Sequence, residues 1–193
     1  DAIHFYGSKI ILTPNLVYHD GFSLYGGRGF GPNGKPTEPL PTERMHEVVE
    51  LTVSKLRRYK NLGYDGVSFR ADMLMNPGGK RDDQYDGGTV ENRTRLFHEV
   101  CSVIRKAFGM KFIIEAVLAW EQNNGYGGNA KMGGGYCEDD ALEFIRLFDD
   151  AVDILEVREH DGCASHPTGY NFIQGVHPAV DFCAKAKKMG FHM

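Results

Sequence analysis

Apolar residues along this chain keep two different rhythms. Over 42–63 they recur at steps of three and four: Met45, Val48, Val49, Thr52, Leu56 and Tyr59 share one side, and Glu47, Glu50, Lys55 and Arg58 take the other. That is an amphipathic helix, capped by Thr42 and ended by Gly63. Thr89 opens a second helix, with Phe97, Val100, Cys101, Ile104 and Phe108 on its apolar side and Gly109 at its end. "EDDALEFIRLFDDA" (138–151) predicts a third, with acids in the first turn where they suit the helix dipole. "VHPAVDFCAKAKKMG" (176–190) predicts a fourth. The other rhythm is the short unbroken apolar run of a buried strand. It appears in "SKIILTPN" (8–15), "DGVSFR" (65–70), "KFIIEAVL" (111–118) and "VDILEVR" (152–158), and "FHM" at 191–193 begins what reads as one more.

Strand and helix alternate, which suits parallel strands joined by crossover helices. The connections after strands are long, polar and glycine-rich, and those after helices are short. That asymmetry places the functional face at the carboxyl ends of the strands, as in a (β/α)8 barrel or a doubly wound sheet. The longest connection, 16–41, reads as a loop without strands, and loops of that length are usually functional. It contains Gly29, Gly31 and Gly34 in a G-x-G-x-x-G spacing, but no helix opens there and Pro36 and Pro39 follow, so the dinucleotide reading is set aside.

The 193 residues suffice for one domain with a real core. A net charge of -4 argues against nucleic acid or a membrane surface as the main partner. No apolar run approaches a membrane span, and the first ten residues lack the shape of a signal peptide. Cysteines at 101, 137, 163 and 183 form no Cys-x-x-Cys pair and no zinc pattern. Cys101 and Cys183 fall on apolar helix sides, as inert buried thiols do. The expectation is a reducing compartment, the cytoplasm.

"GYDGVSFRADM" (63–73), and then "GGKRDDQYDGGTVENRTRLFHEVCSVIRKAFG" (78–109), carry a resemblance. They are similar to the A-G-F-D-G-V-E-I-H strand and the N-K-R-T-D-x-Y-G-G-S-x-E-N-R-x-R-F stretch of the old yellow enzyme family of NADH:flavin oxidoreductases. The nearest branch holds 2,4-dienoyl-CoA reductase, 2-enoate reductase and trimethylamine dehydrogenase. "DAIHFYGSKIILT" resembles the lead into that family's third strand, and "KFIIEAVL" stands where its fifth should be. The resemblance implies a TIM (β/α)8-type barrel, of which residues 1–193 cover about four central β/α units. Two strands would then precede Asp1 and two would follow Met193. It also implies a flavin-dependent oxidoreductase of the ene-reductase type. Hydride would pass from NAD(P)H through FMN to an activated C=C bond of a small-molecule substrate. The alternative is a degenerate, cofactor-free barrel acting as a structural or regulatory subunit. Open edges predict that the chain associates with the rest of its own barrel or forms a homo-oligomer.

The match departs from the family at its chemistry. The family's flavin-contacting glutamine aligns with Thr13, its H-x-x-H or H-x-x-N substrate pair with Arg70 and Met73, and its flavin-facing arginine with Val117. The "KRDDQYDGG…ENR" stretch (80–93) survives, and it reads as holding loops and helix starts together rather than as chemistry. Thr13, Glu115 and Val117 are therefore the expected cofactor-binding positions. Arg70 is the expected anion clamp, with Asp72 and His160 as further catalytic candidates. Met73, Trp120 and Arg158 are the expected substrate contacts. Alternation puts Ile113, Glu115 and Val117 on one side of their strand. The family alignment makes that side the barrel interior, with Arg70 the candidate partner of Glu115. The other reading turns Glu115 outward to a helix. Arg158, His160, Asp161 and His166 crowd the segment after the next strand, in no metal-ligand spacing. The tyrosines at 18, 25, 126 and 136 read better as cover for the barrel top than as ligand platforms.

Overall fold

The apolar runs build the sheet, and the helical stripes cover one side of it. The computed structural model describes residues 2–14, 22–23, 38–71, 81–119, 136–158 and 178–191. A short helix α1 (Ala2–Phe5) leads to β1 (Ile11–Leu12), β2 (Phe22–Ser23) and β3 (Glu38–Pro39). Then come α2 (Thr42–Asn61), β4 (Gly66–Arg70), α3 (Val90–Phe108), β5 (Ile113–Ala119), α4 (Glu138–Phe148) with a 3-10 turn at Asp149–Ala151, β6 (Ile154–Arg158) and α5 (Pro178–Lys188). The main sheet has four strands in the order β1-β4-β5-β6. Every pairing in it is parallel.

Several expectations change at this level. Strand 8–15 pairs only over Ile11 and Leu12. The connection 16–41 is not strand-free, since Phe22 and Ser23 pair in parallel with Glu38 and Pro39. Two-residue strands and the four-residue α1 are too short to show a period. The strands expected at 111–118 and 152–158 each begin two residues later, at Ile113 and Ile154. Of the strand expected at 191–193, only Phe191 is described, and it is not in a strand. The cap at Thr89 stands as read, its hydroxyl accepting the Asn92 N–H; Thr42 is not the cap but the first helical residue after Pro41, because its hydroxyl is committed to the Asp83 carboxylate. Gly63 and Gly109, which end α2 and α3, take φ of 96° and 76°, where a side chain would be strained.

The core lies between the sheet and its helices. Val67, Phe69, Ile114, Ala116 and Leu118 meet Val48, Leu56, Leu96, Phe97, Val100, Ile104, Phe144 and Phe148 in one buried cluster. Phe97 packs edge-on against Phe69 at 6.3 Å and Phe148 at 5.3 Å between ring centroids. Burial pushes the Cys101 thiol up to about 12, so it is an inert core group.

At the amino ends of the strands the same device occurs twice. Asp65, just before β4, accepts the Ile10 N–H at 2.9 Å and pairs with Lys9 at 2.9 Å and His4 at 2.8 Å. The Ile10 N–H, then Lys9 and His4, hold its carboxyl well below the usual carboxylate range. Asp153, just before β6, accepts the Ile114 N–H at 2.7 Å and an Arg105 N–H at 2.8 Å. Each aspartate satisfies a backbone donor on the neighbouring strand and ties it to a cation.

Candidate functional site

Parallel register puts paired residues on the same side of a sheet. The helix-covered side carries Val67 and Phe69 of β4, and Ile114, Ala116 and Leu118 of β5. The opposite side therefore carries Gly66, Ser68 and Arg70 of β4, Ile113, Glu115, Val117 and Ala119 of β5, and Ile154, Glu156 and Arg158 of β6. Glu115 lies away from the helices, on the same side as Val117, and the outward reading is overturned.

The rows on that side rise toward the strand ends. Ser68, Glu115 and Ile154 stand level. Arg70, Val117 and Glu156 form the next row, and Ala119 and Arg158 the one above. Arg70 is thus beside Val117, and Glu115 is level with Ser68, two residues below. Val117 and Ala119 are each 1% exposed, which leaves a small, apolar, closely packed floor at the end of β5. Arg70 is half-buried, and Thr13, just past β1, is exposed. Arg158 donates its Nε–H to Glu156 Oε1 at 2.5 Å. Glu156 is a residue that sequence reasoning missed. Its signal was its spacing of two from Arg158, which puts both side chains on one side of a strand. Asp72, Met73, Trp120 and His160 lie outside the described residues. So do Asp161, His166, Tyr18, Tyr25, Tyr126 and the Gly29–Gly34 segment.

The stretch from Arg81 to Arg95 is a connector. Arg81, 3% exposed at its side chain, donates to the Leu40 carbonyl at 2.5 Å and clasps Asp83 with Nε and Nη2. Asp83 also accepts from the Thr42 hydroxyl and from the Tyr85 N–H. Burial pushes the Asp83 carboxyl up, but these bonds outweigh it and hold it down at about 2. The Tyr85 hydroxyl donates to Glu99 at 2.9 Å. Burial, then Glu99, push Tyr85 up to about 12. Asp86 accepts from the Gly88 N–H and the Asn92 amide, and Arg93 reaches the Gly87 carbonyl at 2.9 Å. This network joins the start of α2 to the start of α3, the structural role expected of the stretch. Tyr136, 4% exposed, donates to the Ala119 carbonyl at 2.9 Å and packs on Phe144, so it covers the end of β5.

No group of three or more metal-ligating side chains converges among the described residues. No helix among them is long and apolar enough to cross a membrane. The architecture is a parallel α/β sheet with its helices on one side, the arrangement of part of a (β/α)8 barrel.

Comparison with known proteins gives the same class. The chain is 24% identical over 177 residues to an NADPH dehydrogenase of Clostridium acetobutylicum, covering 83% of this chain and 49% of that one. It is 30% identical over 112 residues to a probable flavin mononucleotide-dependent alkene reductase of Leishmania infantum, covering 51% of this chain and 30% of that one. The chain thus spans about half the length, or less, of these curated relatives. In fold it is similar to morphinone reductase, with a TM-score of 0.64 at 19% identity over 97% of this chain and 55% of that one. It is also similar to the old yellow enzyme homologue of Zymomonas mobilis, with a TM-score of 0.61 at 18% identity over 82% of this chain and 50% of that one. No family model matches the chain. Its relatives and structural neighbours are old yellow enzyme-like flavin oxidoreductases, and its fold is part of their TIM barrel.

Proposed function

We propose that the protein is a flavin-dependent oxidoreductase of the ene-reductase type, taking hydride from NAD(P)H and delivering it to an activated C=C bond. The observation that carries this reading is Arg70, brought by the register of β4 and β5 to the strand carboxyl ends beside the apolar floor of Val117 and Ala119. The relatives named above are redox enzymes by their names, which supports an enzyme over the cofactor-free alternative.

The residues present offer FMN few polar contacts. Val117 and Ala119 are apolar and buried, Thr13 supplies one exposed hydroxyl, and Glu115 stands one row below. Bound there, FMN would supply the hydride chemistry, and the protein supplies position and electrostatics. Arg70 offers its guanidinium to the substrate oxygen that gains negative charge when a C=C bond conjugated to it is reduced. Asp72, two residues beyond Arg70, and His160, two beyond Arg158, are the candidate proton donors in this reading. Met73, Trp120 and Arg158 would contact the substrate. The completed site needs the remaining strands of a barrel, from the same polypeptide or from an associated copy.

The test is the visible spectrum of the purified protein, followed by NAD(P)H oxidation with a panel of enones. A yellow protein whose flavin bleaches with NAD(P)H and recovers its colour with an enone is the expected result. A colourless protein that takes up no FMN overturns the reading.

A further inference from the structure

We infer that the end of the sheet opposite the candidate site, built from α1 and the carboxyl ends of α2 and α3, is a docking surface for a membrane that carries anionic lipid. The protein lies on such a bilayer without crossing it, with the carboxyl ends of its strands turned away. The inference is independent of the ene-reductase reading.

Unburied apolar side chains carry it. The four most exposed large ones among the described residues are Phe5, Tyr6, Leu62 and Met110, from 70% to 82% exposed. Phe5 and Tyr6 stand at the end of α1 ahead of β1, Leu62 at the end of α2 ahead of β4, and Met110 just past α3 ahead of β5. Those three strands are parallel neighbours, so all four residues lie at one end of the sheet. Phe5 packs edge-on against Tyr6 at 5.0 Å between ring centroids. His4 beside them bonds to Asp65 at 2.8 Å, and a Cβ on Gly63 would sit 3.7 Å from the His4 ring, which sets α1 against the end of α2. Lys60 of α2 donates to the Phe108 carbonyl at 3.5 Å and lies over the Phe108 and Phe112 rings, which sets the end of α2 against that of α3. Exposed apolar residues scattered singly mean little, but a gathered patch marks an interaction surface.

The charge of this end decides what it meets. Segments 4–10, 55–65 and 105–113 hold eight lysines and arginines and one acid, Asp65, which is bonded to Lys9. Beyond α3 come Asp149, Asp150 and Asp153, the last bonded to Arg105, so the basic surface ends there. The net charge of -4 conceals this patch, because acids gather in the first turns of α2, α3 and α4 at the other end. The helix dipole explains acids in first turns and bases in last ones. It gives no reason for unburied phenylalanine, tyrosine, leucine and methionine among those bases. A protein interface gathers apolar side chains at its core and depletes charge there. Here Lys60 is two residues from Leu62, and Lys111 directly follows Met110, so cations and apolar tips are interleaved. That mixture fits a headgroup layer, in which apolar side chains enter while lysine and arginine meet the lipid phosphates and carboxylates.

The test is co-sedimentation of the full-length protein with vesicles of phosphatidylcholine, alone or mixed with phosphatidylserine. Wild-type protein should sediment with the phosphatidylserine vesicles at low salt, stay in solution with phosphatidylcholine alone, and be released as salt rises. Phe5→Ser combined with Tyr6→Ser should weaken the partition at least tenfold, and so should Lys106→Glu combined with Lys111→Glu. All four side chains are exposed and lie outside the candidate site, so both variants should keep the melting temperature and any enone reduction of the wild type. Equal binding to both kinds of vesicle, or binding that the Phe5 and Tyr6 changes leave intact, overturns the inference. Wild-type protein that stays in solution with both vesicles overturns it too; if that protein binds polyglutamate, the surface serves an acidic protein partner instead.

Discussion

Asp83→Asn tests whether the network at the start of α2 and α3 holds the fold. The carboxylate receives Nε and Nη2 of Arg81, the Thr42 hydroxyl and the Tyr85 N–H. Its side chain is 20% exposed and that of Arg81 only 3%. The titration is lowered from 3.8 to about 2. At 1.36 kcal/mol per unit, the charged form is favoured in the folded protein by about 2 kcal/mol. Removing the charge also leaves the Arg81 guanidinium buried without its counterion, and breaking a buried pair this way costs about 3–5 kcal/mol. The Leu40 carbonyl still accepts from Arg81, and asparagine still offers one oxygen, so the expected loss lies at about 2–4 kcal/mol. Urea unfolding at pH 7 measures it as a shift in midpoint at constant slope. The pH dependence supplies a second, independent readout. Because the folded value is depressed, the unfolded chain takes up the proton first as pH falls. The contribution is full above 3.8 and is lost as pH falls toward 2. The gap between wild type and variant should therefore narrow below about pH 4. A gap under about 0.5 kcal/mol at pH 7, the size of an ordinary surface change, would refute the reasoning. So would a gap that does not vary with pH.

Gly66→Ala should lower the melting temperature clearly, because a Cβ there would sit 2.4 Å from the Ile113 carbonyl oxygen and 2.6 Å from Ile113 Cβ; an unchanged melt would mean that the two strands part easily. Phe97→Ala removes the ring between Phe69 and Phe148 and should cost about 3–5 kcal/mol in denaturant unfolding, with less than about 1 kcal/mol counting against the packing described. Burial lowers the pKa of His98 from 6.5, against a backbone hydrogen bond at Leu147, so its neutral form stabilises the fold; stability should fall as pH drops below 6.5, and His98→Gln should flatten that part of the profile. FMN should bind less tightly than glutamine and arginine at these positions would allow, since Thr13 and Val117 forgo contacts worth about 1–3 kcal/mol each; a nanomolar dissociation constant by titration would contradict this. The chain expressed by itself should sediment as dimers or larger species, because β1 and β6 each pair on one side only among the described residues; a clean monomer with a cooperative melt would show that these edges need no cover.

The helices were readable because burial on one side imprints a period near 3.6 on the sequence. Val48, Val49, Thr52 and Leu56 of α2, and Phe97, Val100, Cys101 and Ile104 of α3, are buried as their spacing required. Gly63 and Gly109 marked the ends because few residues but glycine adopt their positive φ. The strand carrying Arg70 was readable as an apolar run with a polar end, and so was its place in a parallel α/β fold. The side of β5 that faces the helices was marked in the sequence by Glu115 alone. Ile114, Ala116, Val117, Leu118 and Ala119 are all buried, so past Glu115 both sides of the strand are apolar and the alternation fades from the sequence. The ladder that sets Arg70 beside Val117, Val117 beside Glu156 and Ala119 beside Arg158 joins residues some 40 positions apart or more. Local pattern constrains neighbours along the chain. Register between strands follows from how whole helices pack across the sheet. Sequence therefore determined which residues could form a site, and tertiary structure alone decided that two arginines from different strands stand on the same side of one apolar floor.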